Sequence, residues 1–166
     1  PDYVKLAVGV LLPFTDADAA QPNASSRVYE WTPYLAFNHI LYGESQRYEL
    51  STGRRTFRVK RGGKPSAARE ESFPQLWNAR PEGLMHLLVE SECRAVHELA
   101  AKAIRAVPAF LAQLDVDDVV MLLARPYDVT AQLGLELAEA RYDATAPNMA
   151  LLLGLATSVY ASARTK

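Results

Sequence analysis

The stretch LLVESECRAVHELA at residues 87–100 recurs as LLARPYDVTAQLG at residues 122–134. Leu87 and Leu122 lie 35 residues apart, whereas Val96 and Thr130 lie 34 apart, so one residue is lost in the turn between them. Apolar residues with helical spacing flank a short polar break in each copy, which predicts two helices joined by a tight turn. A weaker third copy begins at Met149. We therefore expect a mainly α-helical fold built on a short stack of helical hairpins.

This pattern, which covers Phe73 to about Ala163, resembles HEAT and armadillo-like repeats. The resemblance rests on period and hydrophobic pattern and brings no catalytic motif with it. It implies an α-solenoid, a right-handed stack of hairpins whose inner helices form an extended surface for binding other macromolecules. The strings HILYGESQRYEL (39–50) and FPQLWNARPEGLMHLL (73–88) are also similar to segments of large bacterial multidomain proteins.

The chain divides by pattern into an N-terminal helical cap, residues 1–71, and one continuous repeat unit, residues 72–166. Within the cap, alternating apolar and charged residues predict a β-hairpin at 47–60. Gly62, Gly63 and Pro65 then predict a flexible linker at 61–71.

Helix boundaries follow from residues that start and stop helices. Residues 2–12 form an almost wholly apolar segment before Pro13, which predicts a buried helix, and residues 32–42 predict a second helix that ends at Gly43. Later helix starts are predicted where a capping residue or proline precedes an apolar run: Ser72 with Gln75, Pro81, Asp115 with Asp118, Asp128, and Thr145 with Pro147.

Composition narrows the class of protein. The chain has 166 residues, 49% of them hydrophobic and 22% charged, which is typical of a folded unit rather than a disordered one. It carries no signal-peptide pattern or apolar run typical of a membrane span. Because Cys93 is the single cysteine and the first residue is Pro1, we expect a piece of a larger cytoplasmic protein without disulfides.

Positive charge is concentrated before the repeats. Eight basic residues and one acidic residue, Glu49, lie between Arg47 and Arg69. Six of the basic residues form a candidate binding patch: Arg54, Arg55, Arg58, Lys60, Arg61 and Lys64. Such a patch can neutralise phosphates, guard an exposed strand edge, pair with the acidic helices of the same chain, or bind an acidic protein.

Candidate catalytic and metal-binding groups have simpler structural interpretations. Cys93, His97 and His86 could suggest a nucleophile or a metal site, but His86 and His97 align with Met121 and Ala131, which favours packing roles for both. Asp115, Asp117 and Asp118 fit a helix N-terminus without a cation. We predict no catalytic, cofactor-binding or metal-binding residues.

These observations favour a non-catalytic protein-interaction or scaffolding module that binds another protein or other domains of its own chain, with no membrane partner. The alternative is a nucleic-acid-binding module acting through residues 47–64, for instance like the HEAT-like repeat DNA glycosylases. Seven acidic residues against two arginines between Asp115 and Asp143 have the wrong sign for phosphate along the repeats. A purely structural spacer is the third possibility.

Overall fold

The computed structural model describes residues 2–18, 34–51, 56–60 and 67–164, and this part of the chain is mainly helical. Helices α1 to α10 span Tyr3–Leu11, Leu35–Tyr42, Pro74–Ala79, Glu82–Glu90, Arg94–Ile104, Pro108–Leu111, Val116–Ala124, Asp128–Arg141, Met149–Thr157 and Ala161–Arg164; strands β1 and β2 span Tyr48–Ser51 and Thr56–Val59. A 3₁₀ turn occupies Asp16–Asp18.

Helix α1 confirms the apolar N-terminal helix. Asp2 caps it by accepting a hydrogen bond from the Lys5 amide. Val4, Ala7 and Leu11 face the core, but Leu6 is exposed, so the expectation that the whole helix is buried is wrong. The chain after α1 reaches the turn between α4 and α5, where the Asp16 carboxylate accepts a hydrogen bond of 2.6 Å from the Arg94 amide and so caps α5.

Helix α2 ends at Tyr42 as predicted, although for a different reason. Gly43 is in the right-handed helical region, not the left-handed conformation typical of a glycine cap. A side chain at Gly43 would collide with the Ser72 hydroxyl, which donates a hydrogen bond to the His39 carbonyl. Glycine is therefore required by close approach. The predicted cap at Thr32 lies outside the described residues.

Strands β1 and β2 pair antiparallel, with Tyr48 opposite Val59 and Leu50 opposite Phe57, and β2 packs on α2. This agrees with the hairpin predicted at 47–60. Residues 52–55, between the two strands, lie outside the described part of the chain.

The segment Arg69–Phe73, here called the strap, overlaps the end of the flexible linker predicted at 61–71 and is packed there, whereas residues 61–66 lie outside the described part of the chain. Glu70, Glu71 and Ser72 are buried, and the Ser72 amide donates to the Ile40 carbonyl. Ser72 binds α2 and does not cap α3, so the predicted capping box with Gln75 is wrong. Phe73 precedes α3 instead, with a positive φ of 55° that non-glycine residues adopt rarely.

Helices α4 and α5 form one hairpin and α7 and α8 another, and their buried positions correspond. In the first helices Leu84, Leu87 and Leu88 match Val119, Leu122 and Leu123 at a spacing of 35 residues. In the second helices the buried residues match at a spacing of 34 residues: Val96, Leu99, Ala100 and Ile104 correspond to Thr130, Leu133, Gly134 and Ala138. The buried positions of the two hairpins therefore correspond at the two spacings read from the sequence.

Consecutive hairpins contact each other through equivalent helices. Helix α4 packs on α7 and α5 on α8, and α9 then packs on α7. Hydrogen bonds join successive turns: Arg125 Nη2 donates to the Ser91 carbonyl at 2.7 Å, and Ser158 Oγ donates to the Leu123 carbonyl at 2.8 Å. Asn148 caps α9, later than the start predicted at Thr145.

The apolar interior of the described residues falls into two clusters. The larger contains residues from α1, α2, α3, α4 and α5 together with Leu122 and Leu133, so it draws on both sides of residue 72. Trp77 of α3 is fully buried within it. The smaller cluster joins α7, α8 and α9 around Val119, Leu123 and Leu151.

Candidate functional site

The basic patch predicted from the sequence lies largely outside the described residues. Arg54, Arg55, Arg61 and Lys64 are not described, and Arg58 is placed only by its backbone, opposite Glu49 in the sheet. Lys60 is partly buried, and its amide donates to the Arg47 carbonyl at 2.8 Å. Of the six patch residues, the structure therefore describes only Lys60 and the backbone of Arg58.

The base of the hairpin is better defined. The carboxylate of Glu70 accepts hydrogen bonds from Ser45 Oγ at 2.6 Å and from Arg47 Nε at 2.9 Å. The Arg47 guanidinium also lies 4.7 Å from the centre of the Tyr48 ring and 5.8 Å from that of Tyr42. Burial raises the pKa of the Tyr42 hydroxyl, so this ring stays neutral beside the cation.

A second pair fixes the strap to α3. Arg69 forms an ion pair with the buried carboxylate of Glu71 and hydrogen-bonds to Asn78 on α3. Two of the eight basic residues of this region thus bind carboxylates of the strap. Intramolecular pairing was one predicted alternative, but for Arg47 and Arg69 the partners are Glu70 and Glu71, not the acidic helices.

His97 is fully buried between the two hairpins. Its Nε2 lies 2.9 Å from the Ser91 carbonyl, which can only accept, so Nε2 carries the proton. Nδ1 then accepts from the Thr130 hydroxyl at 2.7 Å, and the ring stacks on Tyr127. Burial lowers the pKa of His97 to about 4. Both nitrogens are engaged, which favours a structural role over proton transfer or metal binding.

Cys93 and His86 do not join His97 in a reactive group. Cys93 is buried at the N-cap of α5, and burial raises the pKa of its thiol to about 11, so it stays protonated at neutral pH. His86 is exposed on α4, not packed as its alignment with Met121 had suggested. In the ranges that the structure describes, no three His, Cys, Asp or Glu side chains are arranged to hold a metal ion.

The acidic residues at the start of α7 form the predicted capping box. Asp118 Oδ2 accepts from the Asp115 amide at 3.0 Å, and Asp115 Oδ1 accepts from the Asp118 amide at 2.9 Å. This accounts for two of the three carboxylates without a cation. Asp117 remains exposed on the same turn.

A groove of about 410 Å³ lies between α1 and α3. Its lining includes Tyr3, Leu76 and an ion pair in which Arg80 Nη1 lies 3.1 Å from Asp2 Oδ2. The Tyr3 hydroxyl donates to the Ser72 carbonyl. The groove is thus a shallow surface of apolar side chains and one partly exposed ion pair. Its lining residues include no nucleophile in contact with a base.

Sequence reasoning missed an exposed apolar row on the first helices of the hairpins. Met121 and Leu153 are exposed at corresponding positions of α7 and α9, and His86 is exposed at the corresponding position of α4. The sequence predicts packing at the 86/121 position because Met121 lies in an apolar run. The signal that could have found this row is α9 itself, which is apolar on every side.

Comparison with known proteins yields no match: no family model fits the chain, and no curated protein or solved structure is significantly similar to it. Among the described helices, none is long and apolar enough to cross a membrane.

Proposed function

We propose that this chain is a non-catalytic protein-interaction or scaffolding module in which a short HEAT-like α-solenoid, preceded by a helical cap with a β-hairpin, presents an extended surface. The observation that carries the proposal is the matching burial of α4/α5 and α7/α8 at spacings of 35 and 34 residues. A hairpin of this kind buries its apolar faces only against its neighbours, so a stack offers surface more readily than an enclosed pocket.

The groups that could do chemistry support the same proposal. His97 is bound through both nitrogens, and the Cys93 thiol is buried and protonated. The partner is another protein or another domain of the same polypeptide. A buried free cysteine also fits the reducing cytoplasm of a bacterial-type multidomain protein.

Nucleic-acid binding through residues 47–64 is the competing function. Within the chain, Arg47 and Arg69 already bind Glu70 and Glu71, which makes neither of them a ready contact for phosphate. On the second helices, charged side chains pair with each other instead: Arg105 Nε lies 3.0 Å from Glu136 Oε2. This charge distribution favours a protein partner along the helices.

One experiment separates the two functions. The purified chain is titrated with short DNA and RNA over a salt series, and any protein it captures from cell extract is purified and titrated by calorimetry. We expect a saturable, stoichiometric complex with a protein, unchanged when Arg54, Arg55 and Arg58 are all replaced by Glu. Nucleic-acid binding that weakens steeply with salt and is lost in this triple variant, without any stoichiometric protein complex, would overturn the proposal.

A further inference from the structure

We propose that three exposed apolar side chains, Met121 on α7 and Met149 and Leu153 on α9, form a docking ridge for an amphipathic helix of a partner protein with basic residues at one end. This inference rests on the proposed interaction function and specifies its surface and the chemistry of its partner. The three residues are called the ridge below.

Helix α9 supplies two members of the ridge. Met149 is 73% exposed and Leu153 is 65% exposed. They lie four residues apart, and therefore one above the other on the same face of the helix. The opposite face of α9 is used for folding, because Leu151 and Gly154 are buried there. On the face that carries Met149 and Leu153, the described residues supply no helix that covers α9.

The contact between α7 and α9 places Met121 beside Leu153. A methyl group added at Gly154 would lie 3.0 Å from Val120 Cγ2, so the two helices approach each other closely at these residues. Val119 and Leu155, on one side of this approach, both belong to the smaller core cluster. Met121 and Leu153, on the other side, are both exposed, at 41% and 65%. They therefore border the same solvent-facing surface.

The character of this surface changes along the stack. At the corresponding positions α4 exposes Glu82 and His86, α7 exposes Asp117 and Met121, and α9 exposes Met149 and Leu153. Among these three helices, the apolar part is thus confined to α7 and α9. Two of its three side chains are methionines, whose flexible thioethers adapt to different apolar partners and are common on helix-binding grooves.

Charge selects the kind of partner. Asp117 lies one turn before Met121 and makes no ion pair with any described residue, and Asp143 is exposed in the loop before α9. Arg141 lies at this end too, but its guanidinium donates to the carbonyls of Leu111 and Asp115. A helix with Lys or Arg beside its apolar face complements both parts of the surface.

The test uses a synthetic probe. A fluorescently labelled amphipathic helix of about five turns, with Leu on one face and Lys on the other, is titrated by anisotropy. We expect saturable binding that weakens at least about tenfold in Leu153→Gln and loses part of its salt dependence in Asp117→Asn. The control is Leu6→Gln, because Leu6 on α1 is 66% exposed and matches Leu153 closely in exposure. It should bind like the wild type.

Several outcomes would overturn the ridge as a docking site. If Leu6→Gln weakens peptide binding as much as Leu153→Gln does, the binding is non-specific. The same conclusion follows if a peptide with Glu in place of Lys binds equally well. Sedimentation that finds a dimer dissociated by Leu153→Gln would assign the face to a second copy. If a natural partner protein binds Leu153→Gln as tightly as the wild type, the ridge is not its docking site, although the proposed interaction function is unaffected. Circular dichroism of each variant verifies that it is folded.

Discussion

At the scale of single residues, His97 illustrates how a reactive side chain becomes a structural one. The ring links Ser91 in the first hairpin to Thr130 in the second and stacks on Tyr127, with ring centres 3.8 Å apart. The Ser91 carbonyl also accepts from Arg125. Burial strips water from the ring and so disfavours its charged form, and a positive charge there would also face this guanidinium, so the fold holds His97 neutral.

The first prediction concerns pH. Because the pKa of His97 falls from 6.5 to about 4 on folding, the unfolded chain binds the proton first as pH is lowered. His97 therefore contributes its full stability above pH 6.5 and loses it as pH falls towards 4, by up to about 3 kcal/mol. Urea unfolding at a series of pH values between 7.5 and 4.5 measures the free energy of unfolding. This free energy should fall more steeply with decreasing pH in the wild type than in His97→Gln. Equal slopes would contradict this account.

The second prediction uses two glycines in helices. A Cβ at Gly134 would lie 2.9 Å from the Leu123 amide nitrogen and 3.1 Å from Leu123 Cγ, whereas one at Gly9 would meet nothing within 4 Å. Gly134→Ala should push α8 away from α7 and cost about 1–3 kcal/mol. Gly9→Ala should stabilise α1 by about 0.5–1 kcal/mol. Thermal unfolding compares the two, and a neutral Gly134→Ala would show that the hairpin is loosely packed.

Local signals were readable in the sequence, and distant ones were not. The capping box of Asp115 and Asp118 was predicted correctly because both partners lie within four residues. The role of Ser72 was not, because its hydrogen-bond partner, His39, lies 33 residues away. The exposure of Met121 was missed for a related reason: which face of a helix points to solvent is decided by its neighbours.

At the scale of elements, the strap explains how a two-stranded hairpin is held in place. Two strands alone are marginal in water. Here Glu70 binds Ser45 and Arg47 at the start of β1, and the Glu44 amide donates to the Glu70 carbonyl at 3.0 Å. The sequence around Arg69 gives no sign of this, because consecutive charged residues after a glycine-rich stretch are typical of an exposed linker.

The third prediction tests this anchor. Arg47→Met leaves the carboxylate of Glu70, almost fully buried, without its cation, which should cost about 1–3 kcal/mol. We expect faster amide hydrogen exchange in Tyr48–Ser51, with α7 and α8 unchanged. Arg80→Met is the control, because it removes an exposed pair with Asp2 and should cost less than about 0.5 kcal/mol.

A second variant makes the third prediction stricter. Replacing Glu70 by Met in the Arg47→Met background removes the unpaired charge, so part of the lost protection should return. If the double variant exchanges faster than Arg47→Met, the stacking of Arg47 on Tyr48, and not the ion pair, holds the hairpin.

At the scale of the whole molecule, the period of the chain predicted the helix pairs, but it did not predict every buried position, since His86 and Met121 were expected to pack and are exposed. The period gave less information about how the N-terminal part of the chain and the helical hairpins share one apolar core. The larger cluster combines Leu11 and Phe37 from the first part with Leu122 and Leu133 from the second hairpin. Such contacts depend on how the chain folds back, which periodicity does not encode.

The last prediction tests whether the hairpins stack as a solenoid. Leu123 is fully buried in the cluster shared by α7, α8 and α9, and Leu88 is fully buried in the larger cluster. Each truncation to Ala should cost about 2–5 kcal/mol. In a solenoid the loss spreads to nearest neighbours, so hydrogen exchange in Leu123→Ala should rise most in α8 and α9 and least in α1 and α2. In Leu88→Ala it should rise in α1 and α5. If both variants raise hydrogen exchange uniformly along the chain, the molecule unfolds as one cooperative unit. That result would contradict a solenoid in which each hairpin is stabilised mainly by its nearest neighbours.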